Sequence, residues 1–184
     1  MVNRYSVDPY LRFVAPFYVG KDAAHDFRHI RRIVGRLAAL AEGFSPAPRS
    51  DVLYFLASFH GLVHDITSSS DFSGQAQEFL SQLGWSEQEV GDGFRRLQRH
   101  LKSPVTVEEQ IVHDANYVEL LGAFGIAKAF TKGGAEGQSY EETADIFEHQ
   151  FLDAVEFKTP VGQQMAAEKL AYTKGFLARL RAEL

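Results

Sequence analysis

The stretch Phe59-His60-Gly61-Leu62-Val63-His64-Asp65-Ile66 sets a histidine beside a carboxylate at the end of an apolar run. The run from Val52 to Val63 has the composition of a buried helix. A helix carrying the dyad is therefore expected from about Ser50 to Asp65, stopping at Thr67-Ser68-Ser69-Ser70-Asp71. Neighbouring helix positions point about 100° apart, since a helix has ~3.6 residues per turn. His64 and Asp65 can share one ligand only if it is small and sits between their two arcs. A cation meets that condition, and the negative end of a helix dipole would favour it there. A His-Asp pair also arises by chance in many chains, so its meaning depends on what other donors this chain supplies.

Several candidates exist. His25 and His29 are four apart and would share a helix face. With Asp26 beside His25, the segment has the outline of a zinc-peptidase helix. Aspartate is one methylene short of the glutamate base such a site uses, and the dyad would be left without a role. The same segment is compatible with two partly exposed histidines near a helix start, or with His29 on a metal and His25 facing a substrate. His60 precedes His64 by four residues. A hydrogen-bonded core histidine is the plainer expectation for it; a supporting group behind the ligands, or a ligand for a second ion, is the sharper one. Asp114 follows the apolar pair Ile111-Val112, where a carboxylate is costly to bury unless paired or metal-bound. Taken alone, a surface aspartate is the plainer expectation there too. Taken together, His29, His64, Asp65 and Asp114 offer two neutral nitrogens and two carboxylates from three helices. That mixed set suits a divalent Mn, Mg, Fe, Zn, Co or Ni ion with positions open for water and substrate.

The elements that must position these groups read as helix almost throughout. Helices are expected over Val7 to Tyr18 and from Ala23 to about Ala41. The second is capped by Asp22 and faces inward through Ile30, Val34, Leu37, Ala38 and Ala41. The dyad helix follows a Pro46/Pro48 turn. Two more are expected over Ser73 to Leu83 and Ser86 to Leu101, the latter opened by the capping-box pattern Ser86-x-x-Glu89. A second such pattern, Thr106-x-x-Glu109, opens a helix expected to run to about Phe130. Thr131 to Gln138, with three glycines, is the expected mobile loop. Ser139 to Val155 and Val161 to Leu184 complete the chain. With no alternating strand and no repeat, the fold class is all-α, a bundle of about seven or eight helices.

Bulk properties narrow the function classes. A chain of 184 residues, 45% hydrophobic and 23% charged, has the balance of one globular domain. A net charge of −5 speaks against a sequence-independent grip on DNA or RNA polymers, though single nucleotides remain open because a metal would bring its own positive charge. The absence of cysteine excludes disulfides, thiolate zinc sites and a cysteine nucleophile. The N-terminus lacks the apolar core of a signal peptide, and no ~20-residue apolar run is present. A soluble, cytoplasmic protein without a membrane association is expected.

Four segments follow one another in a telling order: Asp22-x-x-His25-Asp26-x-x-His29-x-x-Arg32; Leu62-Val63-His64-Asp65-Ile66; Glu109-x-Ile111-x-x-Asp114-Ala115; and Gly122-Ala123-Phe124-Gly125-Ile126-Ala127-Lys128. Lys158-Thr159-Pro160-x-Gly162 is a weaker tail match. In order and spacing, from about residue 20 onward, the chain resembles the HD-domain metal-dependent phosphohydrolases, most of all a bacterial branch that acts on nucleotide phosphates. The resemblance implies a single HD-type helical domain over 1–184, with a motif core of about 20–130 and helices 139–184 packed on it. It implies His29, His64, Asp65 and Asp114 as metal ligands. His25, Asp26 and Arg32 would line the substrate side, and His100 falls where this branch often carries a histidine. The chain departs from the pattern at Asn116 and Tyr117, where aspartate and arginine are expected. Lys128 and Gln150 replace an arginine and a lysine, and Ala24 replaces a serine.

The activity so implied is hydrolysis of a phosphate ester or phosphoanhydride of a nucleotide by a metal-activated water. Asp65 would steer the water's proton, and His25 or Asp26 would protonate the leaving group or hold a phosphate. Arg32 and Lys128 would neutralise charge on the transferred group. The partner is a small phosphorylated molecule, and a homodimer is compatible with such a domain. Two rivals are a di-iron HD-type oxygenase using His60, His100 and His113, and a catalytically weak metal- or nucleotide-binding sensor.

Overall fold

The computed structural model describes residues 3–22 and 25–184, and its regular structure is helical throughout. None of the described helices is long and apolar enough to cross a membrane. The chain groups into two compact units, residues 1–113 and 114–184.

In the first unit, α1 (Asp8–Val14) tightens into a 3-10 turn (Ala15–Tyr18) at Pro16, and α2 (Phe27–Leu40) follows. The start of α2 lies later than its sequence suggests. Asp26, not Asp22, is the cap, its carboxylate accepting the His29 N–H at 3.0 Å. Asp22 is engaged instead by the His25 ring, Nδ1 lying 2.9 Å from Oδ2. Ala23 and Ala24, the expected first residues of this helix, lie outside the described residues. The buried face of α2 runs His29, Ile30, Ile33, Leu37 and Leu40, while Ala38 is exposed. The apolar stripe is thus rotated from the expected Val34-Ala38-Ala41 edge, because Ile33 and Leu40 bury more apolar area than the alanines.

At the centre of this unit stands α3 (Ser50–Phe59), with eight of its ten residues buried. Around it pack α1, α2 and α6 (Glu87–Arg99), and α5 (Ser70–Gln82) packs on α6. Aromatic rings fill the space between them. Phe13 stacks on Phe79 at 4.2 Å and on Phe59 at 5.6 Å, and Phe55 leans on Trp85 at 5.5 Å. The expected capping boxes form: Ser86 with Glu89 opens α6, and Thr106 with Glu109 opens α7 (Val107–Tyr117).

A buried carboxylate ties the N-terminal segment to α3. Asp51 accepts from Arg4 Nε at 2.9 Å and from Arg49 Nη2 at 2.8 Å, and both arginines also reach Glu89. The Arg4 guanidinium in turn covers the Trp85 ring at 5.1 Å.

In the second unit, the helix expected to continue to Phe130 is interrupted. A 3-10 turn (Val118–Leu120) leads to α8 (Gly122–Ala135), which opens at Gly122 with φ +74°. That left-handed backbone suits glycine, and Thr173 Oγ1 accepts the Gly122 N–H at 2.8 Å. The expected loop over 131–138 is largely helix, since α8 runs on to Ala135. Gly133 is a close-packing position, where a Cβ would meet Thr143 Oγ1 at 2.1 Å. After a Ser139–Glu142 capping box come α9 (Tyr140–Ile146), a π-helical turn (Phe147–Leu152) and α10 (Pro160–Glu183). Leu121, Ile126, Ala144, Phe147, Leu152, Ala166 and Leu177 form the core of this unit.

Burial alone would push the Asp51 carboxyl up, but Arg49 and Arg4 outweigh it and hold it below the usual range. The Ser86 N–H, with Arg49 and Arg4, holds Glu89 down to about 2. Both groups have depressed folded pKa values. The stability they supply is therefore present above the unfolded carboxylate range of ~4 and is lost as pH falls towards ~2. Asp51→Asn should cost roughly 2 kcal/mol at neutral pH. It should also reduce the acid sensitivity of the remaining stability. Urea unfolding at pH 7, 4 and 3 measures both, and an unchanged acid slope in the variant would refute the assignment.

Candidate metal centre

The dyad does not sit at the end of α3. That helix stops at Phe59, passes through a 3-10 turn (His60–Leu62) and restarts as α4 (Val63–Ser68), placing His64 and Asp65 in the first turn of α4. The expected single helix from Ser50 to Asp65 is thus corrected, and with it the argument from a helix C-terminal dipole: the dyad lies at the opposite, N-terminal end of a short helix.

The break has a visible cause. Tyr18 puts its hydroxyl into the turn, donating to the Ser58 carbonyl at 3.0 Å and accepting the Gly61 N–H at 3.0 Å. Lys21 Nζ donates to the Gly61 carbonyl at 2.7 Å and lies 4.0 Å from Asp65 Oδ2. Burial pushes the Tyr18 phenol up, so it remains a proton donor at neutral pH. Position 61 must be glycine for this approach, because a Cβ would stand 2.9 Å from the Tyr18 ring. Neither Tyr18 nor Lys21 is marked by spacing or motif. Only the folded chain brings them to the dyad.

His64 is exposed and Asp65 is partly exposed. Ser68 Oγ has one proton, and it goes to the His64 carbonyl at 2.7 Å. The 3.1 Å contact between Ser68 Oγ and His64 Nδ1 then has the ring nitrogen as donor, an arrangement that in a neutral ring puts the lone pair on Nε2, where a cation would bind.

His29 is buried in the first turn of α2. Its ring lies 5.4 Å from that of His60 and 6.2 Å from that of His25. His60 is buried and bonded through Nδ1 to Nε2 of His100 at 2.9 Å, which bears out the expectation of a hydrogen-bonded core histidine. His100 Nδ1 meets the Leu97 carbonyl at 2.6 Å. Burial presses the His100 pKa down to about 4.

Other expected site residues have structural engagements. His25 precedes α2 instead of sharing a helix face with His29, and its ring is about half exposed. Asp26 is the α2 cap, and Arg32 is half-buried on α2.

In the second unit, Asp114 is not a surface aspartate but fully buried. Its Oδ1 accepts the Lys158 N–H at 2.9 Å, and its Oδ2 accepts both the Thr159 N–H and hydroxyl at 2.8 Å. Thr159 also caps α10 by accepting the Gly162 N–H at 2.9 Å. The tail segment Lys158-Thr159-Pro160-x-Gly162 is therefore the cradle of this carboxylate. Lys128 Nζ lies 3.7 Å from the buried Glu119. Asn116 and Tyr117 are half-buried on α7, and Gln150 lines a hollow of about 220 Å³ in the π-helical turn.

Among the described residues, no three His, Asp or Glu side chains converge as a ready-made metal cluster. The donor types nevertheless suit a divalent ion. They include an imidazole, His64, whose Nδ1 is bonded to Ser68, a partly exposed carboxylate, and a buried carboxylate already oriented by three hydrogen bonds.

No family model matches the chain. YpgQ of Bacillus subtilis is 23% identical over 191 residues, 94% of this chain and 90% of that one. The crystal structure of YpgQ in complex with ADP aligns with a TM-score of 0.75 at 20% identity, covering 97% of this chain and 98% of that one. An HD-superfamily hydrolase from Bacillus thuringiensis aligns with a TM-score of 0.74 at 21% identity, over 96% and 95% of the two chains. The fold is that of the HD superfamily.

In this HD fold Gly162 leaves the space that Asp114 occupies: a Cβ there would stand 2.1 Å from Asp114 Oδ2. Gly162→Ala should therefore cost at least about 2 kcal/mol by overpacking. Gly175→Ala, on the same helix but facing open space, should stabilise by up to ~1 kcal/mol. Paired thermal melts test this. Equal effects at the two positions would show that Asp114 has room to move.

Proposed function

We propose that this chain is a metal-dependent phosphohydrolase that cleaves a phosphate ester or phosphoanhydride of a nucleotide. The reading is supported by the likeness of fold to an HD-superfamily hydrolase and to a YpgQ–ADP complex, together with the sequence order of His29, the His64–Asp65 dyad and Asp114. Those four residues would hold the ion. When bound, a divalent ion supplies Lewis acidity and lowers the pKa of a water.

The remaining work falls to side chains. Asp65 accepts the proton of the attacking water, with the Lys21 ammonium beside it as counter-charge. His25, half exposed and bonded to Asp22, is able to hold a phosphate or protonate the leaving oxygen. Asp26 keeps His29 in place through the α2 cap. Arg32 balances charge on the transferred group; Lys128 joins it by exchanging Glu119 for phosphate. The direct bond between His60 and His100 occupies one nitrogen of each, which favours this scheme over a di-iron centre using both rings as ligands.

The test is phosphate and pyrophosphate release from a nucleotide panel. Metal-stripped protein is supplemented in turn with manganese, magnesium, cobalt or nickel. Release should require the metal and fall at least ~100-fold in Asp65→Asn. Silence in folded, metal-loaded protein across the panel would refute the proposal.

A further inference from the structure

Charge is unevenly spread along this chain. Residues 1–49 hold eight arginines and lysines against four carboxylates, although the whole chain has a net charge of −5. Arg4 and Arg49 are tied to Asp51 and Glu89, and Arg28 reaches Asp26. Arg12 and Arg31 differ. Among the described residues, neither guanidinium has an ion pair or a hydrogen bond.

Both line the same hollow. Helices α1 and α2 each pack on α3. The hollow, of about 300 Å³, is walled by Asp8, Leu11, Arg12 and Ala15 on one side and by Phe27 and Arg31 of α2 on the other. The first four follow the i, i+3, i+4, i+7 spacing of one helix face. Leu11, Ala15 and Phe27 are half-buried and supply its apolar part, and the Phe27 ring is backed by Tyr18 at 6.2 Å. Asp8 lies in the first turn of α1, where the helix dipole favours it, and the lining keeps one positive charge in excess.

Two guanidiniums that no carboxylate holds suit a phosphate, because their planar forks match its oxygens and stay charged at every physiological pH. The apolar part suits a flat body beside that phosphate. The volume is at the small end for ligand clefts, roughly 300–1,000 Å³, which limits the body to one ring system. Phe27 and Arg31 each stand two positions from His29, about 200° around the helix, and so face away from it. We propose that this hollow is a second ligand site, separate from the candidate metal centre, for a phosphate monoester carrying a flat ring system, such as a nucleoside monophosphate.

The experiment titrates metal-stripped, 15N-arginine-labelled protein with AMP, adenosine and inorganic phosphate, following the arginine Nε–Hε signals. AMP should shift the Arg12 and Arg31 signals together and saturably, with a Kd below about 1 mM. Arg28, exposed on the same helix, registers general attraction of anions and should stay still. Phosphate alone and adenosine alone should each bind at least ~10-fold more weakly than AMP. Arg12→Ala and Arg31→Ala, which also assign the two signals, should each weaken AMP binding by ~10-fold. Asp8→Asn should strengthen it by about 2-fold. Equal shifts at Arg28, or phosphate binding as tightly as AMP, would overturn the inference. So would an AMP shift at Arg32 with Arg12 and Arg31 silent, an outcome that leaves the hydrolase proposal standing.

Discussion

The Tyr18 hydroxyl occupies the place where α3 would otherwise continue. By donating to the Ser58 carbonyl and accepting the Gly61 N–H, it satisfies two backbone groups that an unbroken helix would pair internally. The chain can then leave α3 without orphaned polar groups, make a 3-10 turn and begin again as α4. Every feature of the dyad follows from that break. His64 and Asp65 lie at the start of a short helix, partly open to solvent, and Lys21, three residues after Tyr18, approaches the Asp65 carboxylate. The close approach of Tyr18 requires glycine at 61, since a Cβ there would stand 2.9 Å from the phenol ring.

Asp114 follows a different logic. A fully buried carboxylate is tolerated because three donors from Lys158 and Thr159 converge on it, and the same threonine caps the longest helix of its unit. One side chain thereby ties α7 to the start of α10. It also explains why a threonine, a proline and a glycine follow one another there. Thr159 bonds the carboxylate and caps, Pro160 starts a helix without needing an N–H, and Gly162 leaves room for the carboxylate oxygen.

The histidines of the first unit form a succession of neighbouring rings: His25, His29, His60, His100. Polarity changes along it. The His25 end is solvated and bonded to Asp22, whereas the His100 end is buried and held neutral. Buried imidazoles of this kind serve as directional donors and acceptors instead of charges, which suits them to orient a neighbour.

Much was legible in the residues alone. Helical spacing and the Ser86–Glu89 and Thr106–Glu109 patterns determined an all-α chain and the starts of α6 and α7, because capping is local and needs only a few neighbouring residues. The order of His29, the His64–Asp65 dyad and Asp114 pointed to the HD fold. Local chemistry could not rank Asp22 against Asp26 as a cap, since both are competent and the choice turned on which carboxylate the His25 ring occupied. Nor could it place the breaks at residues 60–62 and 121–122. Tyr18 lies more than forty residues from Gly61, and Thr173 is fifty-one from Gly122. The tertiary structure decided those breaks, the burial of Asp114 and the pairing of His60 with His100. Each depends on hydrogen bonds between residues far apart in sequence, whose meeting only the packed core determines.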